Sequence, residues 1–330
     1  MYTFSKEFKR IDWIYSEYAN STNTNLHEFL SAVNTAYYSN SANLYSSRFV
    51  KDIHAEYKKL FDCKYSDLNG RYVVDIGAGA GFEYDLLKGL SLEFSHFKYI
   101  EPSRDMIDIF MDRVGTNLDE NISFHNGYFS DIVGQISEQN NKLLVLNSAL
   151  HHVVWIEPML DDLKSSMNSG DIFILGHEPN NSYSRVFLLL QKLAKVLFTS
   201  SLLRKISGFS KTSRADSDRW KSINQDLIEK NIIVQEMSPL LIRRIIDYGV
   251  GYKNDWKKLG VPDKSNEGFW TVDDLSDYLG PDFKLIHFNT YRHLGDSNGN
   301  LVLELFNNLL RGMLKTSGSN FIAAWEKQTK

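Results

Sequence analysis

Val73-Val74-Asp75-Ile76-Gly77-Ala78-Gly79-Ala80-Gly81-Phe82-Glu83-Tyr84 is the stretch on which the fold turns. A short apolar run with strand character leads straight into three glycines separated by single alanines, and Phe82-Glu83-Tyr84 reads as the start of a helix. Glycines at that junction form a tight turn whose backbone can approach a ligand without Cβ obstruction, at the positive end of a helix. The stretch therefore predicts a cofactor pocket. A dinucleotide fingerprint, G-x-G-x-x-G, would need its third glycine where Phe82 stands, so NAD fits badly.

Outward from this turn, further short apolar runs alternate with helix-length segments. Tyr72–Ile76, Phe97–Ile100, Ile122–Phe124, Leu143–Leu146 and Ile172–Leu175 read as strands, and buried runs spaced by helices indicate a parallel sheet with crossover helices. Before residue 70 the spacing is helical instead, as in Phe29, Val33 and Tyr37 or Ile53, Tyr57 and Leu60. Residues 1–70 are thus expected to form a helical N-terminal cap, and residues 71–180 the α/β core. Residues 181–281 read as a helical insertion after the fifth strand. Within it lie the basic residues Arg204, Lys205, Lys211 and Arg214, and near its end Thr271 and Asp274 have capping-box spacing. Residues 282–330 supply two last strands, Phe283–Phe288 and Asn320–Trp325, around an apolar helix at Leu301–Leu314.

The motif resembles the first motif of the class I S-adenosylmethionine-dependent methyltransferases, an acid followed by alternating glycines, here Asp75-x-Gly77-x-Gly79-x-Gly81. Tyr99-Ile100-Glu101-Pro102-Ser103 is similar to the end of that family's second strand, with Glu101 placed 20 positions after the last glycine. Leu146–Val153 and Gly170–Pro179 resemble the loop after the fourth strand and the fifth strand with its exit, in the family's small-molecule branch. Together these elements span residues 71–180, a third of the chain.

The resemblance implies a Rossmann-like methyltransferase sheet and S-adenosylmethionine as cofactor. Asp75 and the turn Gly77, Ala78, Gly79 and Gly81 would hold the methionine moiety, Glu101 the ribose, and Pro102 and Ser103 would lie beside the adenine. Tyr128 and Asn147 complete the expected cofactor contacts. There is one departure. The family often has Gly-Asp after the third strand to hold the adenine amino group, and this chain has Gly127-Tyr128. The adenine contact there falls to backbone, to packing on the Tyr128 ring, or is absent.

Methyl transfer from a sulfonium needs positioning above all, together with removal of the acceptor's proton where its pKa is high. His151, His152 and Glu178 lie beyond the carboxyl ends of strands and are the candidate bases, with His152 expected to face the acceptor and His151 to support the loop. No cluster has metal-site spacing. Asn147-Ser148-Ala149-Leu150 stands where amino-group methylases of nucleobases and glutamine carry an acidic or Asn-Pro-Pro-aromatic tetrad. A small or medium organic acceptor is expected, methylated on oxygen first, with nitrogen or carbon as alternatives. Tyr37, Tyr38 and Tyr45 could close over the cofactor or could simply pack.

Composition sets the outer limits. In 330 residues, 42% are hydrophobic and 24% charged, which suits a folded globular chain. A net charge of -4 and a pI near 6.2 give no overall attraction to nucleic acid. The single Cys63 excludes an internal disulfide, and the mixed charges of the first ten residues do not form a signal peptide, so a cytoplasmic location is expected. Val186–Leu203 is the most lipid-like stretch, but Lys192 and Lys195 interrupt it, and no membrane span is expected. Val186–Phe198 has the character of a lid first, and of a homodimer surface or interfacial helix second. Two other readings stay open: a catalytically silent binding or regulatory protein on the same fold and, third, a nicotinamide oxidoreductase.

Overall fold

The computed structural model describes residues 11–40, 50–115, 121–153, 156–180, 214–246, 270–293, 305–310 and 318–329. Seven strands make one sheet in the order β3-β2-β1-β4-β5-β7-β6. They are β1 (Arg71–Ile76), β2 (Phe94–Ile100), β3 (Ile122–His125), β4 (Lys142–Asn147), β5 (Ile172–Pro179), β6 (Phe283–Tyr291) and β7 (Asn320–Lys327). The first five pair in parallel, and β7 runs antiparallel to both β5 and β6. This is the Rossmann-like, mostly parallel sheet expected from the sequence. Strands β2 and β5 are longer than their apolar runs because pairing continues through mixed residues, Phe94–His96 in one and Glu178–Pro179 in the other.

The sheet is covered on both faces, as parallel sheets require. Alternate strand residues feed two cores. Val74, Ile76, Leu144, Leu146, Phe173 and Leu175 belong to one, and Val73, Leu143, Val145, Ile172 and Ile174 to the other. The second core is filled by α3 (Val50–Leu68), α4 (Phe82–Gly89) and α5 (Arg104–Val114). The first takes residues of α1 (Ile11–Tyr18), α2 (Leu26–Ser39), α7 (Ile156–Ser166), α8 (Arg214–Glu229), α9 (Pro239–Ile246) and α10 (Val272–Leu279), with the short α6 (Val133–Ser137) at its edge.

Two helix starts show how sequence dictates these elements. Asn25 accepts from the Glu28 amide while Glu28 accepts from the Asn25 amide, a reciprocal cap that opens α2. Thr271 and Asp274 form the anticipated box at the start of α10. The N-terminal helices and the segment after β5 are joined by a bridge between Ala19 and Ile233 and by packing of Tyr37 against Trp220, with ring centroids 5.8 Å apart. Val186–Phe198, Arg204, Lys205, Lys211 and Tyr45 lie outside the described residues, as do both ends of the apolar helix expected at Leu301–Leu314, of which 305–310 are helical. No helix among the described residues is long and apolar enough to cross a membrane.

The third glycine of the motif has a packing role. Gly81 caps α4 at φ 82°, and a Cβ there would overlap the Phe110 ring of α5. Gly81→Ala is expected to cost about 1–3 kcal/mol for overpacking and about 1–2 kcal/mol for the left-handed backbone. Urea unfolding checks this, and an unchanged midpoint would contradict it.

Candidate functional site

In this sheet the chain leaves β1 toward β2 on one side while β4 lies on the other, so a crevice opens beyond the carboxyl ends of these strands. A cavity of about 900 Å³ occupies that place. Gly77, Ala78 and Gly79 form its floor. Gly77 and Gly79 have φ of 69° and 56°, and nothing lies within 4 Å of a Cβ built on Gly79, so the turn presents bare backbone to the cavity. Gly79→Val would consequently strain the turn as well as fill the space, so the backbone itself demands glycine here.

Glu101 follows β2 and ties the turn to the next helix. Its Oε2 accepts from the Gly79 amide at 2.9 Å and its Oε1 from the Ser103 amide at 2.8 Å. Burial raises its pKa to about 7, opposed by these two amides. Each oxygen keeps a lone pair for a hydroxyl, which suits a ribose. Pro102 and Tyr128 also line the cavity, with Tyr128 the more exposed. Beside Tyr128 stands Asp131, whose Oδ2 accepts from the Tyr128 amide at 2.7 Å and lies 3.4 Å from His125 Nε2. Asp131 was not singled out by the sequence. It brings a carboxylate to the wall three positions after Tyr128.

Three of the expected cofactor residues do not reach the cavity wall. Gly81 is the packing residue against Phe110. Ser103 is buried as the cap of α5, accepting from the Met106 amide and sharing a 2.6 Å hydrogen bond with Ser39, so it does not lie open beside an adenine. Asp75 sits behind the turn, 1% exposed, and neither carboxylate oxygen has a hydrogen-bond partner. Burial, with Glu83 and Glu101 nearby, pushes its pKa well up. Glu83 does line the cavity, and Asn147 beside it both donates to Glu83 and accepts from Tyr57 Oη at 3.3 Å.

The loop after β4 resolves the candidate bases. Glu178 Oε1 accepts from the Ala149 and Leu150 amides at 2.9 and 3.0 Å, and Oε2 accepts from the His151 amide at 3.2 Å and from His151 Nδ1 at 2.9 Å. The Glu178 carboxylate, expected as a candidate base, is so engaged and 3% exposed that it organises the loop and does not reach the cavity wall. With Nδ1 donating to Glu178, His151 keeps Nε2 as its acceptor nitrogen, and His151 lines the cavity.

His152 is arranged differently. Its Nδ1 lies 2.9 Å from the Ile246 carbonyl, which can only accept, so Nδ1 carries the proton and Nε2 accepts from Tyr38 Oη. Burial, and then His151 beside it, push the His152 pKa well down. Both histidines line the cavity, but the two ring nitrogens of His152 are engaged, joining α2, the β4 loop and the end of α9, whereas His151 keeps Nε2 as an acceptor. Among the described residues, no group of three His, Cys, Asp or Glu side chains could hold a metal ion.

No protein-family model and no curated protein matches the chain. Solved structures do resemble it in overall layout. An S-adenosylmethionine-dependent methyltransferase from Anabaena variabilis is 13% identical, over 90% of this chain and 95% of that one, with a TM-score of 0.46. One from Mesorhizobium loti is 13% identical, over 82% of this chain and 96% of that one, with a TM-score of 0.41. A complex of DhpI with SAH is 18% identical, over 47% of this chain and 71% of that one, with a TM-score of 0.36.

Proposed function

We propose that this chain transfers the methyl group of S-adenosylmethionine to a small or medium organic acceptor, on oxygen by preference. One observation carries the reading. A single cavity joins the bare glycine turn, the Glu101 carboxylate and the His151–Glu178 pair. Its volume lies at the upper end of the roughly 300–1,000 Å³ common for ligand pockets, so it suits a cofactor with a small acceptor beside it. The residues fit the cofactor on their own chemistry: open backbone at Gly79, a carboxylate with lone pairs to spare at Glu101, and orphaned carboxylate oxygens at Asp75 beneath the turn.

When bound, S-adenosylmethionine supplies a methyl group already activated by its sulfonium. The protein's part is to bind and orient. Gly77 to Gly79 and Glu101 hold the cofactor, and the Tyr128–Asp131 side takes the adenine. Tyr37 and Tyr38, with Met159 and Ile246, wall the acceptor side and exclude water. Glu178 fixes the His151 ring so that Nε2 accepts the proton leaving the acceptor's hydroxyl. Holding the reacting atoms in line is the larger contribution, and the base adds to it. The segment 181–281 contributes Ile246 to this wall and is assigned the role of acceptor lid.

The test is formation of S-adenosylhomocysteine from S-adenosylmethionine over a panel of phenols, alcohols, amines and carbon acids. Turnover with a hydroxyl acceptor is expected. Tight cofactor binding with no turnover on any acceptor would favour the silent binding protein instead.

A further inference from the structure

Glu83 is an acid that the glycine motif does not call for. It lies in the first turn of α4, two positions after the last glycine, 4% exposed and yet on the cavity wall. It is held from two sides of the fold: Asn147 at the end of β4 donates to it, and Tyr57 of α3 donates to Asn147. Gly176 of β5 permits this arrangement, since a Cβ there would collide with both the Tyr57 hydroxyl and the Asn147 carbonyl oxygen. Behind Glu83, Asp75 contributes a second buried carboxyl with no partner of its own.

We infer that Glu83, rather than the motif acid Asp75, is the carboxylate that receives the α-ammonium of the cofactor's methionine end. The inference rests on the proposed cofactor. A buried carboxyl on a cavity wall, backed by another, favours a cation in front of it. Asp75 lies off the wall and does not reach the cavity directly.

Protonation separates this assignment from a structural role. Burial raises the Glu83 pKa to about 8, against its own amide and the Asn147 amide, which lower it. The ionisable groups facing it are Asp75 from β1, Tyr99 from β2, Tyr57 from α3 and Asp85 from its own helix. All are acids, so none stabilises its ionised form. At pH 7 Glu83 is therefore mostly protonated, and an incoming ammonium must displace that proton. Affinity should rise with pH toward about 8 and then level off.

The experiment is calorimetry at pH 7.5 in buffers of different ionisation enthalpy, with two probes. S-Adenosylhomocysteine carries the amino acid, and 5′-methylthioadenosine shares the adenosine but lacks it. Both load the Glu101 side equally, so the difference in protons released isolates the amino-acid end. Wild type should release more protons with S-adenosylhomocysteine, and Glu83→Gln should abolish that difference. Glu83→Gln should also weaken S-adenosylhomocysteine about 10–100-fold, as expected for a lost charge-assisted hydrogen bond, and leave methylthioadenosine within about twofold. Asp75→Asn should keep the proton difference. Loss of the difference in Asp75→Asn with retention in Glu83→Gln, or equal binding of both probes by Glu83→Gln and wild type, would overturn the assignment. Failure of wild type to bind either probe would instead remove the cofactor reading itself.

Discussion

His151→Ala should lower turnover about 10²–10⁴-fold while leaving S-adenosylhomocysteine affinity near that of wild type. The expectation follows from the partners of the ring. Glu178 accepts from the Nδ1 N–H at 2.9 Å and is itself fixed by three loop amides, so the substitution removes the nitrogen proposed to face the acceptor without undoing the loop's backbone anchors. His152→Ala should behave otherwise. It takes the donor from the Ile246 carbonyl, at about 1–3 kcal/mol for a buried group left unsatisfied, and removes the link to Tyr38, so stability and acceptor KM should move together. Steady-state kinetics with thermal unfolding on both variants separates the two. Near-wild-type turnover in His151→Ala, beside a stable but inactive His152→Ala, would restore the order suggested by the sequence.

Asp171→Ala should destabilise the fold by about 3–5 kcal/mol. Lys142 and Asp171 pair at 2.8 Å with both side chains fully buried at the amino ends of β4 and β5. Asp171 also accepts from the Lys142 and Asn168 amides, both at 2.6 Å, while Lys142 Nζ reaches the Gln139 carbonyl at 2.5 Å. Removing the carboxylate leaves a buried ammonium with one carbonyl and two amides without their acceptor. Against a usual total of about 5–15 kcal/mol, such a loss brings the chain near unfolding at ambient temperature. The double variant Lys142→Met with Asp171→Leu should recover much of it, because an apolar pair leaves no orphaned charge. Urea titration of both variants is the check, and an Asp171→Ala midpoint equal to wild type would contradict the expectation.

Local pattern carried the parts of the fold that are locally determined. The strand running into Gly77-Ala78-Gly79, the buried runs of β1, β4 and β5, and the Thr271–Asp274 cap each declare themselves within a few residues. Strand ends did not, because pairing to β7 extends β5 through Glu178 and Pro179, whose own composition is not strand-like. The hydrogen-bond partners of His151 and His152 could not be read locally either. They are Tyr38 and Ile246, 114 and 94 positions from His152, and Glu178, which reaches back to His151 from the exit of β5. Glu83 stands in plain view in the motif, but an acid in a first helical turn is ordinarily explained by the helix dipole. Only its burial on a cavity wall sets it apart. Ser103 has the sequence position of a ligand-facing loop residue and is a helix cap, a difference of side-chain direction that spacing does not encode.

The central proposal is that the cavity beyond β1, β2 and β4 seats S-adenosylmethionine. A crystal structure of the chain grown with saturating S-adenosylhomocysteine tests it. The ribose hydroxyls are expected on Glu101, the adenine beside Tyr128 and Asp131, and the amino group on Glu83. Density for the ligand anywhere else, or a cavity that stays empty at saturation, would contradict it.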